Sequence, residues 1–510
     1  MVSGKENNQN FDPIILSARE RFKIDYLFPY QRLVISNILE AAAATGNPEQ
    51  GERRDANPHQ IVILPTGAGK SLCFMLPALL LPGATLVVFP LLSLIADQAR
   101  RLLEEGIEAG ILRGGQDKAE RDYVFDGVKS GRIKVLLSNP ETVLTRDIIE
   151  KIKQLDITHL VIDETHTVSE WGESFRPSYL EIGRVAKEGE VPVVTAFTAT
   201  ASPYILERVK EILFPDTSPN VVIANPDRPN ISYRVEPCLS KNHQLIMLLG
   251  KSTRNRVKRP AIVFCRSRTG AELTAQMLRS RLNEKEIYFY HAGLTREEKG
   301  KIEKWFFNSP DGVLCATCAY GMGVDKRNVR TVIHRDLPPS VESYLQESGR
   351  GGRDREPSEA ILLFSNEDRE YLKEIKEPFS RSRYKAMLGY AESSHNCRRE
   401  HLLSLLDAEP EVCFGCDFCK GELRLTPQGK EAILKFFSAN KRRYTVREAK
   451  NALKGSKGYE AYRKELHLAH GFGALADWEI EDIEESLEML IHEKVLKRPS
   501  RGFWKNRITI

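Results

Sequence analysis

The chain has 510 residues, 41% of them hydrophobic and 28% charged, with a net charge of +5. That length supports three or four domains with cores of their own, and so small a net charge confines any nucleic-acid surface to local patches. No apolar run could cross a membrane without meeting a proline or a charge, and no signal peptide opens the chain, so no membrane partner is expected. Nine cysteines, four closely grouped, suggest a reducing compartment and a metal site rather than a disulfide framework.

Residues 1–20 are expected to be a disordered N-terminus in their polar opening part. A helix-like stretch follows, with Phe28-Pro29-Tyr30-Gln31 at its start. Residues 46–60, rich in Gly, Pro, Asn and charge, read as a surface insertion. Next comes Ile61-Val62-Ile63-Leu64-Pro65-Thr66-Gly67-Ala68-Gly69-Lys70-Ser71. Its β-branched start predicts a strand, the glycines a turn, and Leu72 to Leu81 a helix. Backbone N–H groups ahead of a helix N-terminus form an anion cradle, here at Thr66, Gly67 and Gly69. Lys70 would reach the β/γ-phosphates and the Ser71 hydroxyl would hold Mg²⁺. Leu64 stands where the strict motif has its first glycine, so an ordinary strand–helix turn is the competing reading of this stretch alone.

Apolar strands then alternate with amphipathic helices, at Thr85 to Phe89, Lys134 to Ser138, His159 to Ile162 and Val193 to Phe197. This rhythm predicts a parallel sheet covered on both faces. The third of these strands delivers Asp163-Glu164-Thr165-His166. Asp163 suits Mg²⁺ held through water, and Glu164 suits orienting or deprotonating the attacking water; a solvated strand end is the plainer alternative. The stretch that follows carries Trp171, Phe175, Arg176 and Tyr179 among polar residues. It is a poor helix and a good stacking platform for unpaired bases, unless its aromatics are simply core.

"LPTGAGKS", "VVFPLLSLIADQ", "VIDETH", "SEWGESFRPSY" and "AFTATAS" resemble successive motifs of a superfamily 2 helicase. The aromatic stretch resembles that of the RecQ family of DNA helicases, where the loop is taken to couple single-stranded DNA binding to ATP hydrolysis. The resemblance implies that Gln31 reads adenine and that Thr198-Ala199-Thr200 links nucleotide to DNA. Two departures stand out: DETH replaces the usual DEAH, and Phe28 replaces an arginine expected shortly before Gln31.

A second βαβ series runs through Ala261 to Cys265, a helix at Gly270 to Leu282, Ile287 to Tyr290 and Val313 to Thr317. It has no phosphate loop. The series closes on Gln346-Glu347-Ser348-Gly349-Arg350-Gly351-Gly352-Arg353-Asp354, by default a solvated Gly/Arg loop. After an α/β lobe it instead suits arginines offered to a γ-phosphate. By family resemblance this stretch is motif VI, with Gln346, Arg350 and Arg353 matching. Cys315 and Cys318, in and just after an apolar strand, are read as buried thiols.

Cys397, Cys413, Cys416 and Cys419 can fold around one ion, zinc first and an iron–sulfur cluster second. His395 and His401 are taken as solvated neighbours. Beyond them, three helices (from Thr426-Pro427, Val446 to Leu453 and Ile480 to His492) and a terminal hairpin suggest a winged helix. Lys441, Arg442, Arg443, Lys497, Arg498, Arg501, Lys505 and Arg507 could form a phosphate-binding face, the alternative being a solvated charge run.

The expected fold class is α/β: two tandem RecA-like parallel-sheet lobes (21–235 and 236–366), a helical zinc-binding module (367–422) and a winged helix (423–510). The resemblance implies an ATP-dependent DNA helicase of 3′→5′ polarity, using ATP, Mg²⁺ and Zn²⁺ and acting on single-stranded and duplex DNA in recombination, repair or replication. A monomer is expected, cytoplasmic in a bacterium and nuclear in a eukaryote. The rival readings are a superfamily 2 RNA helicase and a zinc and winged-helix DNA-binding or annealing protein with weak ATPase.

Overall fold

The computed structural model describes residues 12–46, 57–65, 67–167, 177–199, 202–250, 256–320, 326–409, 412, 413 and 415–510. The chain divides into two compact units, the first built on residues up to Asp227 and the second on nearly all of those from Arg228 onward.

The first unit is organised on seven strands: β1 (His59–Ile63), β2 (Ala84–Val88), β3 (Ala109–Ile111), β4 (Val135–Ser138), β5 (Ile157–Ile162), β6 (Val193–Thr198) and β7 (Asn220–Ile223). Their order is β3-β4-β2-β5-β6-β1-β7, with every pair parallel. β2, β4 and β6 are buried along their whole length, which is why they read as continuous apolar runs rather than as alternations. Alternation persists in what each face packs against. Ile61, Leu86, Leu160 and Ile162 share one core, whereas Val62, Val87, Val161 and Phe197 share the other. Because all seven strands run the same way, the loops after β1, β2, β5 and β6 emerge at one edge of the sheet. That edge is where an open α/β sheet holds its ligands.

β3 and β7 had no counterpart among the expected strands. Both lie at the ends of the sheet, β3 is three residues long, and β7 is largely exposed, so neither carries the apolar signature of the central strands.

The second unit holds β8 (Ile231–Pro237), β9 (Ala261–Phe264), β10 (Ile287–Tyr290), β11 (Val313–Ala316), β12 (Thr331–His334) and β13 (Ser358–Phe364), in the order β10-β11-β9-β12-β13-β8, again all parallel. β8 pairs with β13 along its whole length, so the expected lobe boundary at 235–236 falls inside a strand of the second sheet. The free edge of β8 is covered from the cysteine-rich segment. Asp417 N–H donates to Tyr233 O at 3.1 Å, and the Asp417 carboxylate accepts from Val235 N–H at 3.0 Å. Covering an edge in this way removes unpaired backbone groups that would otherwise invite aggregation.

Helices Pro378–Glu392 and Arg398–Ser404 follow the second sheet, and helices Lys430–Ala439, Val446–Lys454 and Ile480–His492 enclose a further core around Phe436, Phe437 and Trp478. The first of these starts at Lys430 rather than Thr426, because Gly429 takes φ +83° and a Cβ there would lie 2.8 Å from the Trp478 ring. The expected terminal hairpin is reduced to one antiparallel bridge, Lys497 with Thr509. This helical core docks on the second sheet's flank: Trp478 stacks on His243 at 3.9 Å, Ser240 Oγ donates to Asp482 at 3.0 Å, and Arg281 forms an ion pair with Asp482. Among the described residues no helix is long and apolar enough to cross a membrane.

Candidate functional site

The loop after β1 is shaped by two glycines with left-handed backbone, Gly67 at φ +84° and Gly69 at φ +76°. A Cβ on Gly69 would sit 2.4 Å from Gln31 Nε2, so the position excludes a side chain twice over. Gln31 is 4% exposed; its Nε2 donates to Ala68 O at 2.9 Å and its Oε1 accepts from Phe28 N–H at 3.0 Å. So placed, Gln31 braces the loop from behind with one of its two amide hydrogens and one of its two carbonyl lone pairs. Phe28, standing in for the expected arginine, stacks on Tyr30 with centroids 5.5 Å apart. Thr66 lies outside the described residues. Ser71 Oγ, in the first turn of helix Lys70–Leu80, accepts from Gln98 Nε2 at 3.3 Å. Gln98 was not singled out from the sequence.

Lys70 reaches across the sheet edge to the end of β5. Its Nζ lies 2.8 Å from Asp163 Oδ1 and 2.7 Å from Glu164 Oε1, with all three side chains no more than 14% exposed. Burial opposes the ammonium charge, but the two carboxylates outweigh it and hold Lys70 above its ordinary pKa. Burial pushes Asp163 upward against the attraction of Lys70, and Glu164 adds to the rise. Glu164 sits at φ +52°, an uncommon backbone for a non-glycine and a form of strain met at functional sites. His166 Nδ1 lies 3.1 Å from Thr198 Oγ1 at the end of β6 and 3.4 Å from Glu164 Oε2. The acidic pair is thus tied both to the phosphate-loop lysine and to the next strand. Thr200 lies outside the described residues.

In the second unit, Gln346 is half-buried on helix Val341–Ser348, Arg350 is 4% exposed, and Arg353 is half-buried. The glycine-rich turn between the arginines is held by backbone contacts, with Gly352 N–H donating to Val329 O at 2.8 Å. Arg330 pairs with Asp354 just beyond it. Cys315 is buried as expected, with its thiol held well above its usual pKa by burial; Cys318 is exposed, because β11 ends at Ala316 and the chain turns outward.

The four cysteines come together. The Sγ atoms of Cys397, Cys413, Cys416 and Cys419 all lie within 4.8 Å of one another, Cys397 and Cys416 at 3.9 Å. A tetrahedral ion with metal–sulfur bonds of about 2.3 Å needs sulfurs about 3.8 Å apart, so the set fits one ion. An iron–sulfur cluster, whose thiolates bind different irons, needs a wider cage. The N–H groups of Arg398 and Cys419 both point at Cys416 Sγ at 3.4 Å, as suits a thiolate. Behind them Arg398 forms a buried pair with Asp417 at 3.0 Å.

Three family models match in order along the chain: DEAD/DEAH box helicase over residues 28–209, helicase conserved C-terminal domain over 240–355, and RecQ zinc-binding over 365–420. The ATP-dependent DNA helicase RecQ of Bacillus subtilis is 30% identical over 460 residues, covering 88% of this chain and 77% of that one. The chain belongs to the RecQ family. The protein of the same name from Pasteurella multocida is 37% identical over 368 residues; this RecQ-family chain spans 57% of its length. Among solved structures, the helicase MrfA bound to DNA (TM-score 0.56, 20% identity, 75% of this chain and 57% of that one) and the DEAD-box helicase Mss116 bound to single-stranded RNA (TM-score 0.55, 16% identity, 78% and 81%) share the paired-sheet fold.

Of the residues expected to meet DNA in this RecQ chain, Trp171, Phe175 and Arg176 lie outside the described residues. Tyr179 does not fit that role. It is fully buried in the short helix Pro177–Glu181, where its ring packs inside the first unit and cannot face a base. The C-terminal cations are on the surface except Arg507, which is half-buried. Arg442 N–H donates to Ile508 O at 3.1 Å, and Arg507 donates to Arg443 O, which brings both basic runs to one place. There the sequence reading missed Phe503, 88% exposed, and Trp504, their rings 4.8 Å apart and the Arg442 guanidinium 5.8 Å from the Trp504 ring. Their signal was legible: two adjacent aromatics set among cations in Arg501-Gly502-Phe503-Trp504-Lys505.

Proposed function

We propose that the chain is an ATP-driven motor that separates the strands of duplex DNA while moving 3′→5′ along one of them. The observation that carries this reading is the convergence of Lys70, Asp163 and Glu164 at the sheet edge of a RecQ-family chain. Lys70 pairs with the two acids until the nucleotide's phosphates compete for its ammonium. Asp163 and the Ser71 hydroxyl are the groups that would hold Mg²⁺, whose chemistry is to neutralise charge on the β- and γ-phosphates. Glu164 takes the proton of the attacking water as its oxygen bonds to the γ-phosphorus. The bond from that phosphorus to the β–γ bridging oxygen breaks, and ADP and phosphate leave. Arg350 and Arg353 stabilise the charge spread over the transferring phosphoryl group.

Cys397, Cys413, Cys416 and Cys419 would hold zinc, which would supply folding free energy rather than chemistry. Single strands are gripped by stacking and cationic contacts, for which Trp171, Phe175 and Arg176 after β5, and Phe503 and Trp504 at the C-terminus, are the candidates.

Strand separation on matched substrates tests the reading. A duplex DNA with a 3′ single-stranded tail should be unwound when ATP is supplied, and not when a non-hydrolysable analogue replaces it. Equal or better unwinding of the matched RNA would favour an RNA helicase, and strand annealing without ATP-dependent unwinding would favour the binding-protein alternative.

A further inference from the structure

Arg228 and Asn230 lead into β8 and belong to none of the motifs above, yet they bracket the arginine loop. The Arg228 guanidinium donates from Nη1 to Gly349 O at 3.1 Å and from Nη2 to Gly351 O at 3.3 Å and Gly352 O at 2.9 Å. Asn230 Nδ2 donates to Gly352 O at 2.8 Å and Glu356 O at 2.9 Å, and the Asn230 carbonyl accepts from Ser358 N–H at 2.9 Å. The two carbonyls flanking Arg350, and the one just before Arg353, therefore converge on a single planar fork of donors.

Glycines at 349, 351 and 352 contribute no side chains to fix the path of this run and leave its backbone more conformational freedom than other residues would. A rigid guanidinium that satisfies several acceptors at once supplies that restraint with little loss of its own freedom. Bracket and loop are fitted to each other: Gly352 has φ +54°, and a Cβ there would lie 2.4 Å from Asn230 Nδ2. The bracket is itself held from behind. Arg399 Nη2 donates to Ile231 O at 2.7 Å and Pro229 O at 3.4 Å, and Ser232 Oγ donates to Gly415 O beside the cysteine cluster. The lead into β8 is thus pinned between β13 and the cysteine-rich segment.

We infer that Arg228, assisted by Asn230, is a positioning residue for phosphoryl transfer: it fixes the backbone from which Arg350 and Arg353 project. This rests on the reading of those two arginines given above. Arg228 acts through the loop and not on the substrate. A displacement of about 1 Å at a reacting group can cost about 10²-fold in rate, so loosening the loop should slow the chemical step and leave nucleotide affinity nearly as it was.

The test uses the full metal-loaded chain carrying Arg228→Lys, which keeps the charge but replaces the fork by one ammonium, and Asn230→Asp, which keeps the shape but removes the donors. For each, kcat for DNA-stimulated ATP hydrolysis should fall roughly 10–100-fold, with KM for ATP changed less than about twofold, the pattern of an interaction felt in the transition state. Amide hydrogen exchange should rise in residues 349–355 while β9, β11 and β12 stay protected. Wild-type kcat, unchanged exchange in 349–355, or loss of protection across the whole second sheet would each overturn the inference. Arg350→Ala and Arg353→Ala, measured alongside, separate the two levels. If both hydrolyse normally, the underlying reading fails and this inference with it; if either is inactive while both bracket variants are normal, the bracket alone fails.

Discussion

The phosphate loop and the arginine loop are both glycine-rich turns at the ends of regular elements, yet they are held in opposite ways. At the phosphate loop the reactive side chains hold one another, as Lys70 binds both Asp163 and Glu164. At the arginine loop the turn's carbonyls are gathered from outside it, by Arg228, 121 residues before Gly349. The first arrangement ties chemistry and stability to the same atoms. The second places the path of the turn under residues that lie outside it.

Removing Arg353 should produce the largest change in rate, about 10³–10⁵-fold in kcat, the scale of a missing arginine finger. The variant should keep its fold, because Arg228 and Asn230 still hold the loop's carbonyls, and a melting curve checks this. Arg350→Ala is the comparison: if it alone loses activity while Arg353→Ala hydrolyses normally, the finger is assigned to the wrong arginine.

Lys70→Ala should behave otherwise. Hydrolysis should drop by about 10²–10³-fold or more, as when one pre-aligned charge is lost, and the protein should also become less stable. Two buried carboxylates without their cation cost on the order of 3–5 kcal/mol. Adding Glu164→Gln to Lys70→Ala should return part of the lost melting temperature without returning activity. Full stability of Lys70→Ala would break the contrast between the two loops.

An intermediate effect is expected at Cys416. Replacing it by Ser should reduce metal content from about one ion per chain to none and lower the melting temperature. Amide exchange in β8 should rise, because Asp417 next door covers that strand's edge. Iron with visible absorption in the wild-type protein would overturn the single-ion assignment.

What the sequence made legible follows the same division. The phosphate loop, the acidic pair and the cysteine set each lie within or beside a short continuous stretch whose residue types carry the chemistry, and these were read by number. The bracket was not, because Arg228 and Asn230 sit in an ordinary polar connection and acquire meaning only when β8 pairs with β13. β8, β12 and β13 were missing from the expected strands as well, leaving nothing to place Arg228 near Gly349. Tyr179 failed for the opposite reason. It shares a stretch with two plausible base-stacking aromatics, Trp171 and Phe175, and interleaved aromatics do not reveal which of them turns inward.

The smallest effects are expected at the aromatics proposed to contact DNA. Trp171→Ala should leave DNA-independent hydrolysis nearly intact while blunting its stimulation by single strands. Phe503→Ala should weaken DNA binding by roughly 1–3 kcal/mol, the worth of one stacked base. A uniform loss of basal and stimulated rates together with a lower melting temperature in Trp171→Ala would mark that ring as core packing, and unchanged DNA binding in Phe503→Ala would remove that ring from the DNA face.

The most direct test of the account compares wild-type protein with Glu164→Gln in one assay of ATP hydrolysis and unwinding of a 3′-tailed DNA duplex. The account predicts that the wild type hydrolyses ATP faster with single-stranded DNA and unwinds the duplex, whereas Glu164→Gln binds ATP, keeps its fold and does neither. Unwinding by Glu164→Gln at near wild-type rate, or a wild type that hydrolyses ATP with no response to DNA, would contradict it.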